Sequence, residues 1–161
     1  MIITRFMISL SGRFRASREL YSLVDPLTAR MGTAAQDRSV EVSRPRVLFV
    51  IEGRGDASAE FYRFASPRTA DALLKRLPVQ GRAAIYGEEV YFKVPVKAPA
   101  ENPRSTMEVG SIGYWPMGDA VCVFFGPTKP YSPVNVLGRV TSGVEMFRSI
   151  KEGTLIEIRK A

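Results

Sequence analysis

The stretch GYWPMGDAVCVFFGPTKP, Gly113 to Pro130, decides how this chain is read. It holds the single Trp, Trp115, the single Cys, Cys122, and the adjacent pair Phe124-Phe125, and it ends in a Pro-rich turn. Two short apolar runs, "EVGSIGYW" and "DAVCVFFG", flank the turn Pro116-Met117-Gly118, which predicts a β-hairpin. In a strand, successive side chains alternate sides. Val121, Val123 and Phe125 therefore share one face, and Cys122 and Phe124 share the other. One face is expected to fill a core, with Phe124 placed there, and the other to look outward or into a groove.

Working outward, further strands appear on both sides. "RVLFVIEG" from Arg46 is an apolar run closed by Gly53, and "GRGDASAE" after it reads as a loop. Its Arg54-Gly55-Asp56 tripeptide is assigned no function. "SPRTADALLKRLP" predicts a helix. Ser66 is the candidate N-cap, Pro67 suits the first helical position, and Ala70, Leu73, Leu74 and Leu77 form one apolar face before Pro78 stops it. "GRAAIYGEEVYFKVPV" reads as strand, turn, strand, with the turn near Gly87-Glu88-Glu89 and the two carboxylates on a solvated hairpin. A Pro-rich loop, "GPTKPYSP", precedes the strand "VNVLGRV". "SGVEMFRSI" reads as one to two helical turns, and "TLIEIRK" as the last strand. Strands in hairpin-like pairs rather than alternating with helices favour an antiparallel sheet, closed or nearly so.

Composition narrows the chemistry. The chain of 161 residues suits one domain, and no apolar run approaches the ~20 residues that span a bilayer. There is no histidine, which excludes Ser-His-Asp and Cys-His catalysis and any imidazole metal site. No metal or other cofactor is expected. With one cysteine there is no internal disulfide, and Cys122 reads as a buried small hydrophobe. The net charge of +7 comes from scattered Arg rather than from basic runs, which argues against a nucleic-acid reader. Residues 1–44 carry seven Arg and four acids and read as a basic, loosely ordered extension. Residues 45–161 form the domain. Without a convincing targeting signal, cytoplasmic residence is the expectation.

The order of these elements resembles the cyclophilin family. "TADALLKRLP" is similar to the family's helix, "VCVFFG" to its strand with paired Phe, and "VNVLGRVTSGVEMFRSI" to its closing strand and helix, with Gly138 and Gly143 at the family's glycine positions. "YGEEVYFKVP", "GSIGYWPMGDAVCVFFGPT" and "VNVLGRV" look more like the short cyclophilin-like-domain proteins of bacteria and archaea, a group of undescribed function. The resemblance implies a mainly β fold: a closed, mostly antiparallel barrel of about eight strands capped by two short helices. It also implies an aromatic groove that receives a proline-containing peptide or a small-molecule ligand.

By that resemblance Lys93 stands where cyclophilins carry the catalytic Arg. A lone ammonium donates without the planar fork of a guanidinium. The motif that follows the Arg in cyclophilins is missing here, and Val123 replaces a groove Gln. The expected function is therefore a binding domain with weak or no catalysis, the alternative being a peptidyl-prolyl cis-trans isomerase that uses Lys93. The residues expected to line the groove are Tyr91, Trp115, Val123, Phe125, Thr128, Tyr131 and Asn135.

Overall fold

The structure, a computed structural model, describes residues 38–161. The extension expected over residues 1–44 thus falls mostly outside the described residues. Val40–Ala161 form one compact unit.

Nine strands build this unit: β1 (Arg46–Ile51), β2 (Gly55–Phe61), β3 (Val79–Arg82), β4 (Ala84–Tyr86), β5 (Glu89–Lys93), β6 (Ser111–Trp115), β7 (Ala120–Phe124), β8 (Asn135–Ser142) and β9 (Leu155–Lys160). They form one antiparallel sheet in the order β3-β9-β1-β2-β8-β6-β7-β5-β4. The helix α1 (Pro67–Arg76) and two 3-10 turns, Pro116–Gly118 and Val144–Ser149, lie between the strands, and residues 38–43 ahead of β1 are also helical. The expected antiparallel barrel is present, nearly closed, with nine strands. "GDASAEF", read from sequence as a loop, is β2. Its small residues misled because Ala57, Ala59 and Phe61 carry the inward positions, buried beside β1.

The two ends of the sheet order are joined by the chain itself. β3 and β4 are consecutive, with only Ala83 between them, so the backbone steps from one edge of the sheet to the other. This removes most of the exposed edge that apolar strands would otherwise offer to other chains. At the seam β3 lies close against β5. A β-carbon on Gly81 would sit 2.5 Å from the Lys93 carbonyl oxygen and 3.1 Å from the Phe92 ring, so only glycine fits there.

Inward positions recur every second residue along the strands. Phe49, Ile51, Phe61, Val90, Phe92, Ile112, Val121, Val123, Leu137, Ile156 and Ile158 meet in one continuous core, roofed by Leu73 and Leu74 of α1. Phe49 meets Phe92 and Phe147 edge-on, at 6.4 and 5.8 Å between ring centroids.

The helix does not use the cap its sequence offers. Ser66 makes no capping hydrogen bond. Glu101, from the loop before β6, takes that role. Its Oε1 accepts from the Arg68 amide, and its Oε2 accepts from the Thr69 amide and hydroxyl. Burial alone would raise the Glu101 carboxyl, but these donors and the Arg68 charge outweigh it and hold the group below its ordinary value. Fully buried Asn135 completes the joint. Its amide donates to Thr69 Oγ1 and the Pro99 carbonyl, and its Oδ1 accepts from the Glu101 amide.

Replacing Glu101 by Ala should therefore cost about 1 kcal/mol near neutral pH, as loss of a helix cap does. A depressed carboxyl contributes stability above its unfolded pKa and loses it as pH falls through the folded one. The difference between wild type and Glu101→Ala in urea denaturation should accordingly shrink in acid.

Candidate functional site

β7 is buried along its whole length, Ala120–Phe124. Val121 and Val123 enter the barrel core. Cys122 and Phe124 point the other way and, with Val134, form a second buried cluster outside the barrel wall. Tyr91, Met107 and Trp115 pack against it. Phe124 is thus buried outside the barrel wall instead of in the barrel core, and Phe125 is the Phe that leans on the core, half-buried. The reversal follows from register. Glu89 and Phe124 pair across β5 and β7, so they share the outer face with Tyr91 and Cys122.

Over this outer face lies a hollow of about 180 Å³, lined by Tyr86, Glu89, Tyr91, Trp115, Pro130, Tyr131, Ser132 and Val134. Its aromatic side chains form a chain of near-perpendicular contacts. Tyr86 meets Tyr131 at 6.4 Å, Tyr131 meets Trp115 at 6.2 Å, and Trp115 meets Tyr91 at 6.1 Å. Successive rings at right angles make corners rather than a flat wall. The Pro-rich loop supplies one side, tied down where the Trp115 indole N–H donates to Ser132 Oγ at 2.6 Å. The indole is backed by Gly118, where any side chain would collide with its six-membered ring. Tyr131 stands at the rim, 74% exposed.

The floor holds a carboxyl. Glu89 is 5% exposed, and its Oε2 has no hydrogen-bond partner. Burial pushes the Glu89 carboxyl above its ordinary value, while a hydrogen bond with the Cys122 thiol opposes that rise. Burial, and then the neighbouring Glu89, push the thiol well up, so Cys122 is a neutral, enclosed group. An unpaired buried polar atom costs about 1–3 kcal/mol. The barrel needs no carboxylate here, so the cost points to a use.

The expected groove residues separate into two sets. Tyr91, Trp115 and Tyr131 come together in the hollow. Val123 lies on the opposite side of β7, in the barrel interior, because strand neighbours alternate. Phe125 packs on that same core. Thr128 accepts a hydrogen bond from the Glu88 amide and braces the loop. Asn135 is fully spent on the α1 joint. Lys93 lies on the outer face of β5 with Glu89 and Tyr91, opposite Ala120, but it is exposed and does not line the hollow.

Glu89 and Tyr86 were not expected there. The sequence alone puts Glu89 on a solvated hairpin, yet it opens β5, two residues before Tyr91 and on the same face. That spacing was the available signal. No group of three or more metal-ligating side chains occurs among the described residues. Nor, among them, is any helix long and apolar enough to cross a membrane.

A nearly closed antiparallel barrel with one helical cap and an aromatic hollow on its wall defines the class. The chain belongs to the family described as cyclophilin-like, which matches residues 46–159. Among solved structures, the solution structure of a hypothetical protein from Archaeoglobus fulgidus is 30% identical over 74% of this chain and 96% of that one, with a TM-score of 0.65. A structure of McbB in complex with tryptophan is 16% identical, covers 71% of this chain and 44% of that one, and has a TM-score of 0.61. At that identity it shares the fold alone. The comparison with curated proteins returns no match.

The Glu89 environment sets a pH dependence. A carboxyl whose pKa is raised on folding binds its proton more tightly in the native state. Its contribution is therefore present at low pH and is lost as pH rises from the unfolded carboxyl range through the raised native value. Glu89→Gln should remove that slope and leave the protein at least as stable as wild type at neutral pH, measured by thermal unfolding across pH. Cys122 should resist thiol reagents in the native protein and react only after denaturation, which an absorbance assay with a disulfide reagent reads directly.

Proposed function

We propose that the protein is a binding module of the cyclophilin-like family that receives one small ligand, or one side chain of a peptide, in the aromatic hollow of Tyr86, Tyr91, Trp115 and Tyr131. The observation that carries this reading is the joined set of aromatic rings around an open hollow on the outer face of the barrel wall. Tyr and Trp suit such a place because each offers an apolar body and a polar tip. The volume is below the ~300–1,000 Å³ of sites that enclose whole drug-sized ligands, so it fits a single head group.

Prolyl isomerisation through Lys93 has less support. Catalysis of that step needs a donor aimed at the prolyl nitrogen within the pocket that holds the ring. The Lys93 side chain is exposed and stands outside the residues that line the hollow. A cis-trans assay on a proline peptide should accordingly give the same rate with wild type and Lys93→Ala.

Binding is read by Trp115, the only Trp in the chain. Titration of a panel of small amphiphiles that lack an indole should change its fluorescence saturably. Tyr131→Ala removes one wall of the hollow and should weaken binding of an aromatic guest up to about tenfold, as loss of one ring–guest contact of ~0.5–1.5 kcal/mol would. A panel that leaves the indole emission unchanged throughout would remove the hollow as a binding site.

A further inference from the structure

Resting on the binding reading above, we infer that the hollow selects a protonated amine, with Glu89 as the counter-ion on its floor and the Tyr and Trp rings as its walls. Three observations converge on this chemistry. First, the Glu89 side chain is 95% removed from solvent yet lines the hollow, and its Oε2 has no donor. An ammonium N–H supplies that donor in a charge-assisted bond, the stronger kind of hydrogen bond.

Second, the remaining lining offers no positive charge for an anion. Among the lining residues there is no Lys or Arg. The Trp115 N–H is already given to Ser132, which leaves only neutral hydroxyls as donors. An anionic head group would face a buried carboxyl with no cation to offset it.

Third, four aromatic rings surround the same space. Aromatic faces attract cations, Trp most strongly, and the attraction grows as water is excluded. A neutral guest would gain from the rings but leave Oε2 without a charged partner. Only a cation uses both features. A primary or secondary ammonium fits better than a quaternary one, because it keeps an N–H for the carboxylate. The protein's overall +7 charge opposes cations at long range, so the selectivity belongs to this one site.

The groups that face Glu89 are the Cys122 thiol from β7, the phenols of Tyr86 and Tyr91 from β4 and β5, and Tyr131 from the Pro-rich loop. None brings a positive charge that would hold the carboxylate ionised in the empty site. Burial favours the protonated acid, so amine binding is coupled to loss of that proton. Affinity should fall as the solution is acidified, beginning at a pH above the range where an exposed carboxyl titrates.

The test is a Trp115 fluorescence titration, backed by calorimetry, with n-butylamine, n-butanol and butyrate, which share a chain and differ in charge. Wild type should bind butylammonium at least about tenfold more tightly than butanol and should not bind butyrate. Glu89→Gln should erase the preference for the amine over the alcohol, read as the ratio of the two dissociation constants measured on the same variant. Acidification should weaken the amine and spare the alcohol.

Equal affinity for amine and alcohol in wild type overturns the inference, and this comparison needs no variant. If all three ligands bind without charge preference, the binding reading survives and only the amine selectivity fails. If none perturbs Trp115, both fall. A peptide with one lysine, run against its acetylated form, shows whether the amine is carried by a polypeptide. Competition by the lysine form alone would assign the site to a side chain, and competition by butylamine alone to a free amine.

Discussion

The structure turns on one strand that is buried on both sides. β7 gives Val121 and Val123 to the barrel and Cys122 and Phe124 to a second cluster outside it. Most strands of a small barrel need cover on one face only. A strand apolar on both faces must be covered twice, and here the outer cover is incomplete. The Pro-rich loop, the Trp115 indole and Tyr91 close most of that face, and the gap left between them is the hollow. Core and site thus lie on opposite sides of β7, the site built by the groups that cover its outer face.

This arrangement explains which parts of the fold were legible in the sequence. The alternation in "DAVCVFFG" gave two faces without saying which was inward. That choice depends on register against β5 and β6, a long-range fact. Trp115 and Tyr91 could be gathered through the family resemblance, which sets them beside the groove, and Tyr131 through its place in the Pro-rich loop. Glu89 was hidden by composition. Two adjacent glutamates after a glycine suggest an exposed turn, and only the strand pairing shows that the second of them is inside. β2 was missed for a related reason. Its Gly, Asp, Ala and Ser have weak strand propensity, and the pairing with β1 and β8 overrides it.

Membership in the cyclophilin-like family fixes the scaffold and leaves the chemistry to local residues. In this chain the wall carries a floor carboxyl and ring walls, whereas the basic Lys93 projects to solvent nearby. The one ionisable acid of the hollow thus has no Lys or Arg beside it in the lining, although the molecule as a whole is basic.

The joint at α1 bears on how the barrel assembles. The helix receives its first-turn acceptors from Glu101, 32 residues further along from Thr69, and not from its own flanking serine. A ten-residue helix is too short to persist by itself in water. Its opening turn is completed only once the distant loop has docked and Asn135 has locked both pieces in place. The persistence of α1 is thus tied to the docking of that loop and is not a property of its own ten residues alone.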